Sequence, residues 1–291
     1  MAPRPLTLIT ALCCTLAPSL ARAQAPSTAP VVLTQPSSAR VAALGGAWVA
    51  GRDQDVVFTN PAQIIGVRSD FSLSLGRLTP DANAASMAST YAAGKMSFTL
   101  GWGLQAIDYA PPAGLLNSGG RQTVVAVVAG AVQYKGFKVG TAGKYATDRT
   151  FENRRALLMD VGVARNLFGG VAAVSMQNIG KRSRLESLPL PRQIAAGWSI
   201  AKPAGPLDLT LFTQVAHRSK WTSAAAGLEA NYSWIEGYSV MLRAGVRRPD
   251  VAGERPVALG AALTGDRLTV DYAIRLYDNN RRDHLVTLRW R

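Results

Sequence analysis

The chain has 291 residues, 32 Lys and Arg against 18 Asp and Glu, a formal charge of +14 and two cysteines. With 48% hydrophobic and 17% charged residues it is too apolar for a disordered polyelectrolyte. No run of five like charges occurs, which excludes a basic nucleic-acid-binding tail.

The first segment has a basic start at Arg4, an apolar stretch from Leu6 to Leu20 and a small-x-small ending at Ala21-Arg22-Ala23. These are the parts of a secretory signal peptide, residues 1–23, cut after Ala23. Both Cys13 and Cys14 lie inside it, so the mature chain contains none and cannot rest on disulfides. A lipoprotein would need a small residue before its cysteine, where Leu12 and Cys13 stand. Removing Arg4 and Arg22 leaves 30 basic residues against 18 acidic, a net +12. For a secreted chain this charge suits phosphate-bearing lipids or an anion-attracting lumen better than nucleic acid. After the leader no apolar run approaches the roughly 18 residues of a membrane helix.

Residues 24–35 are rich in Ala, Pro, Ser and Thr and read as a flexible mature terminus. Residues 36–66 lack strand alternation and carry Gly45-Gly46, Asp53, Asp55 and Asn60-Pro61. They read as a short helix and loops, folded inside or beneath the rest. Residues 24–66 thus form a plug segment, and residues 67–291 a region of successive strands.

That region alternates polar and apolar residues at period two. Leu268, Val270, Tyr272, Ile274 and Leu276 share one face, opposite Arg267, Thr269, Asp271, Ala273 and Arg275. A second clear case sets Met96, Phe98, Leu100, Trp102 and Leu104 against Ser97, Thr99, Gly101, Gly103 and Gln105. A third sets Phe137, Val139 and Tyr145 against Lys138, Gly140, Ala142 and Lys144. Residues 122–132 are apolar on both faces and leave their orientation open. A hairpin is expected around Asn166, and long loops at 111–120 and 180–188.

About fourteen such strands can be counted. A soluble β-protein that binds a partner would point the apolar faces inward, whereas a membrane barrel points them at lipid. An even count, long strands, polar faces rich in Gly, Ala and Ser, and aromatics near strand ends favour the membrane barrel. The expected fold is all-β: an antiparallel transmembrane β-barrel of about 14 strands with a short N-terminal helical and loop plug. Its expected location is the outer membrane of a Gram-negative-type bacterium, in contact with membrane lipid and lipopolysaccharide.

The run from Ala39-Arg40 through Leu44-Gly45-Gly46-Ala47-Trp48-Val49-Ala50, then Asp53-Gln54-Asp55 and Asn60-Pro61-Ala62, resembles the opening of the PorV/PorQ family, relatives of FadL-type outer-membrane proteins. Asn178-Ile179-Gly180, Pro189-Leu190-Pro191, the Leu242-Arg243-Ala244-Gly245 and Asp271-Tyr272-Ala273 strands, and His284 before Leu288 are similar to further landmarks of that family. Trp48 stands for its usual Phe or Tyr, and Gln63 for its Gly. The resemblance implies a 14-stranded barrel with Gly45, Gly46, Asp53, Asp55, Asn60 and Pro61 in a plug motif. It also implies either secretion of the type IX kind, with secretion-system components or cargo proteins as partners, or FadL-like passage of hydrophobic small molecules.

No catalytic constellation is expected. His217 and His284 are the only histidines, no Gly-x-Ser-x-Gly or phosphate loop occurs, and Asp53 with Asp55 falls short of a calcium ligand set. The reading is a non-enzyme without metal or cofactor. Glu229, Arg243, Arg247, Arg267, Asp271, Arg275 and Arg289 are expected to line the lumen, and Arg291 lies in the same phase. A basic diffusion channel and a salt-bridged, filled interior use the same residues, and both stay open.

Overall fold

The computed structural model describes residues 28, 30–67, 70–78, 81–92, 98–110, 121–150, 154–180, 188–219, 221–251 and 253–290. The expected signal peptide, Met96, Ser97, the bulk of both expected long loops and Arg291 lie outside the described residues.

Fourteen antiparallel strands close into one barrel. The first seven are β1 (Phe71–Leu78), β2 (Ala82–Ala92), β3 (Phe98–Tyr109), β4 (Arg121–Tyr134), β5 (Phe137–Asp148), β6 (Arg154–Leu167) and β7 (Gly170–Gly180). The rest are β8 (Gln193–Ala204), β9 (Leu207–Arg218), β10 (Trp221–Ile235), β11 (Tyr238–Arg247), β12 (Glu254–Thr264), β13 (Leu268–Tyr277) and β14 (Arg282–Trp290). Closure joins β1 to β14, with Phe71 opposite Trp290 and Arg77 opposite His284. Every strand hydrogen-bonds on both edges, so no edge is left to template aggregation.

The period-two pattern is realised with its apolar face outward. On β13 Tyr272 is 41% exposed and its neighbour Asp271 is fully buried. Leu75, Leu100, Val128, Leu157, Leu242 and Val286 are likewise exposed on the outer wall. A soluble barrel would reverse this arrangement. Among the described residues no helix is long and apolar enough to cross a membrane.

The two barrel ends differ. At the end where β1 starts and β14 finishes, tight connections join β4 to β5, β6 to β7, β8 to β9 and β10 to β11. At the other end lie the longer gaps after β3, β5, β7 and β11. The expected hairpin at Asn166 turns two residues later. β6 continues through Asn166, and Phe168 and Gly169 turn with φ of 51° and 73°. Positive φ at both turn residues matches the twist of the flanking strands.

The segment 30–67 fills the interior. It holds a 3₁₀ turn at Val31–Thr34, the helix α1 (Ala39–Ala43) and 3₁₀ turns at Gln54–Phe58 and Pro61–Ile64. Ser38, Asp53 and Asn60 cap the last three of these through side-chain oxygens. The main hydrophobic core is therefore inside the barrel, where Val41, Leu44, Trp48, Val56, Val57 and Ile64 meet wall residues such as Val125, Val127 and Leu158. This explains the doubly apolar β4. Val125, Val127, Ala129 and Ala131 face the plug while Val128 and Val132 face out.

Small wall residues give the plug its room. A Cβ on Gly245 would stand 2.3 Å from the Gly45 nitrogen and the Leu44 carbonyl carbon, and one on Gly140 2.5 Å from the Pro61–Ala62 backbone. Gly245→Ala is expected to push the plug off the wall and cost about 1–3 kcal/mol, as overpacking does. Gly143, whose Cβ would meet nothing within 4 Å, is the control. Heat-dependent gel mobility of the two variants should differ, with only Gly245→Ala unfolding earlier than wild type.

Candidate functional site

The contact between plug and wall is the most elaborate polar feature of the molecule. The cap at Ser38 starts α1 and projects Arg40 from it. Arg40 grips Glu229 on β10 with two nitrogens, Nη2 to Oε1 at 2.7 Å and Nε to Oε2 at 3.0 Å. Its Nη1 lies 3.4 Å from Asp53 Oδ2. The guanidinium also sits 4.8 Å over the Trp48 ring, which packs against Phe212 at 5.3 Å.

Glu229 also accepts from Arg243 Nε at 2.5 Å, and Arg243 Nη1 reaches Asp271 Oδ1 at 2.6 Å. Arg289 closes the series with Nε and Nη2 on Asp271 at 2.8 and 3.0 Å. Charge therefore alternates along Asp53, Arg40, Glu229, Arg243, Asp271 and Arg289, linking the plug helix and one plug turn to four wall strands. Such bidentate guanidinium–carboxylate contacts are short and directional.

A second network lies nearer the loop end. Arg247 pairs with Glu254, and Arg275 Nη2 lies 2.5 Å from Asp283 Oδ2. Arg275 also donates to Gln35 Oε1 of the plug at 3.0 Å, and Tyr277 donates to Asp283 at 3.0 Å.

Six of the seven residues expected in the lumen thus fall into these two networks. Arg267 does not. It lies one residue before β13, in the turn from β12, and is exposed. The period-two extrapolation ran past the strand end. Arg243, Arg247, Arg275 and Arg289 each lie within ion-pair distance of a carboxylate, so their charge is locally balanced rather than open to solute.

Of the plug-motif residues, Gly45 and Gly46 adopt φ of 64° and 76°. Asn60 is fully buried, donates to Val49 O at 2.8 Å and accepts from Ala62 N at 3.2 Å. Pro61 opens the following turn. Asp55 accepts from Ser72 Oγ of β1 at 3.0 Å.

Sequence reasoning left out Arg40, Gln214, Lys144, Asp160 and Asn178 as site residues. Gln214 Oε1 accepts from both Trp48 N and Val49 N, at 3.0 and 2.8 Å. Lys144 donates to Phe58 O at 3.0 Å and pairs with Asp160 at 2.6 Å. Asp160 Oδ1 in turn accepts from Asn178 N at 2.7 Å, where the β6–β7 ladder shifts register and Asn178 has φ of 57°. The available signal was an inward phase combined with a long polar side chain, which Lys144 and Gln214 both carry.

Burial raises the Asp53 carboxyl above its usual range despite Arg40 and Arg289. Asp55 is pushed up to about 7, first by burial and then by Asp53, while hydrogen bonds from Ser38 and Ser72 pull the other way. An acid whose folded pKa is raised is held better in its protonated form. Its contribution is full below the unfolded value of about 4 and is lost as pH rises through the folded value. Thermal stability is therefore expected to decline between about pH 4 and about pH 7, and Asp55→Asn to flatten that decline. Melting scans across this range check it; an unchanged slope in the variant would refute the assignment.

Between plug and wall at the loop end is a cavity of about 120 Å³. Val32, Phe58, Val125 and Trp221 line it together with Gln105 and Gln177 and with the charged Lys144, Arg218, Arg247, Asp250 and Arg275. Among the described residues no group of three or more His, Cys, Asp or Glu is placed to hold a metal ion.

No protein-family model matches the chain, and no curated protein matches it. Solved structures do. The CymD monoaromatic hydrocarbon channel is similar over 91% of this chain and 98% of its own, at 10% identity and a TM-score of 0.59. The Pseudomonas putida toluene transporter TodX is similar over 92% and 98%, at 9% identity and a TM-score of 0.57. These likenesses establish a shared barrel architecture.

Proposed function

We propose that this chain is an outer-membrane barrel that passes hydrophobic small molecules, with the N-terminal segment as a plug that must shift to let them through. The observation that carries this reading is the filled lumen. Its core side chains come largely from the plug itself, which an ion-pair network through Arg40 and a hydrogen bond from Arg275 to Gln35 tie to the wall. A passive pore for polar solutes keeps an aqueous channel, and lumen arginines paired with carboxylates leave little free positive field to focus anions.

The outward apolar belt supports placement in lipid, and the short turns at the terminal end match the periplasmic side of such barrels. Two structures that share the architecture are titled as a hydrocarbon channel and a toluene transporter. The cavity at the loop end has Val32, Phe58, Val125 and Trp221 on part of its wall, beside the charged Lys144, Arg218 and Asp250.

The secretion role implied by the N-terminal motifs has less support. Gly45, Asp53, Asp55, Asn60 and Pro61 are buried against the wall and bind the plug in place, so their identity is accounted for without a cargo protein.

Uptake of labelled toluene by liposomes containing the purified protein tests the proposal, beside conductance in planar bilayers. Toluene entry above protein-free liposomes, with no steady wild-type conductance, is the expected result. A steady ohmic current without toluene uptake would replace this reading with a diffusion channel.

A further inference from the structure

One stretch of the outer wall breaks the apolar pattern. At the loop end of β1, Arg77 points outward and stands directly across the ladder from His284 of β14. Arg282, two residues from His284 on the same strand, is exposed on the same outer face. Arg255 at the start of β12 also points outward, and Arg281 is exposed in the connection before β14. β12, β13, β14 and β1 are consecutive around the barrel, so these residues form one rim.

The rim is electropositive. Of these arginines, Arg77 lies 3.9 Å from Asp81 and Arg255 3.6 Å from Asp278. Both pairs are more than half exposed on each side, where an ion pair holds little energy and yields readily to a better anion. Arg282 donates to Asn280 Oδ1 at 3.1 Å, and His284 Nδ1 shares a 2.7 Å hydrogen bond with Tyr272 OH.

Directly below the rim, on the same four strands, Leu75, Val257, Tyr272, Val286 and Leu288 are exposed and apolar. Cations at one level and bare aliphatic surface beneath them match a ligand with phosphate at its head and acyl chains below. Guanidinium groups favour phosphate through paired, charge-assisted hydrogen bonds.

We propose that this rim binds the phosphorylated, acylated headgroup of the outer-leaflet glycolipid, with Arg77 and Arg282 on phosphate and the β13–β1 wall under the acyl chains. The proposal rests on the membrane-barrel reading above, in which the loop end faces outward.

The test titrates the purified full-length protein in detergent with lipid A carrying both phosphates, with its dephosphorylated form and with inorganic phosphate, read by native mass spectrometry. Expected is a clear preference for bis-phosphorylated lipid A. The Arg77→Ala/Arg282→Ala variant should bind it at least about tenfold more weakly, since a hydrogen bond to a charged group exceeds the 1.4 kcal/mol that a factor of ten represents. Arg155→Ala, an outward arginine on the far β6, should bind as wild type.

Equal binding of the dephosphorylated lipid, equal binding of inorganic phosphate, or an unweakened double variant would each overturn the proposal. Heat-dependent gel mobility and sedimentation with membranes are scored on the same preparations. A chain that fails those fails as a membrane barrel, whereas one that passes them without phosphate discrimination sinks the rim proposal alone.

Discussion

Arg243→Ala is expected to be the most destabilising single change in the barrel wall. The Arg243 side chain is fully buried and is shared between Glu229 and Asp271. Truncating it leaves two buried carboxylates facing each other across the missing guanidinium, each with half of its former partners. Breaking a buried ion pair by removing one member costs about 3–5 kcal/mol, because the remaining charge stays desolvated. For a chain of this size that corresponds to a fall of roughly 10 °C in melting temperature.

The mechanism makes a second demand. If the damage comes from uncompensated charge rather than lost packing, neutralising Glu229 as well should recover much of it. The double variant Arg243→Ala, Glu229→Gln leaves Arg40 beside Asp53 and Arg289 on Asp271, so no charge is left over, and it is expected to melt well above the single variant. Heat-dependent gel mobility reads both proteins. A single variant as stable as wild type, or a double variant worse than the single, would show that the network does not hold the wall.

Arg40→Ala is expected to act on the plug more than on the wall. Glu229 keeps Arg243, and Asp271 keeps both of its arginines, so the barrel remains closed. The plug, however, loses its bidentate anchor, its link to Asp53 and the cation resting on Trp48. The expected result is a folded barrel whose bilayer conductance rises from silent to frequent openings and whose plug becomes open to protease. Arg40→Lys should fall between the two, because an ammonium cannot reproduce the planar fork on a carboxylate. If Arg40→Ala stays silent and resists protease like wild type, the plug is held by its apolar contacts alone.

Different parts of this molecule were legible to different degrees. The strands read well because each must satisfy one local rule, alternation at period two between two unlike surroundings. Residues 268–276 obey it, and there the face assignment matches the structure. β4 does not obey it, because its inner face meets Val32, Phe58 and Ile64 of the plug rather than water or polar side chains. Arg267 shows the opposite error: the pattern continues one residue beyond the point where the strand ends.

Site residues were legible as a set of inward arginines and acids but not as pairs. Arg40 and Glu229 are 189 residues apart, and Ala39 and Thr287 are 248 apart. No local signal states that such positions meet. Lys144 illustrates the limit. Its inward phase was visible, yet its partners Phe58, Asp160 and Asn178 come from a plug turn and from a register shift between β6 and β7.

By itself the sequence determined which residues are strands, which face of each is apolar, and that residues 36–66 are something other than strand. All three follow from interactions between near neighbours and from the two-fold geometry of extended chain. Only the tertiary structure decided that the lumen is filled and that its arginines are neutralised. Those outcomes depend on where barrel closure places the plug, on the glycines at 140 and 245 that let its backbone touch the wall, and on which carboxylate each guanidinium reaches. An arginine on an inward face is a pore lining or a structural tie according to what stands within 3 Å of it, and that neighbour is supplied by closure.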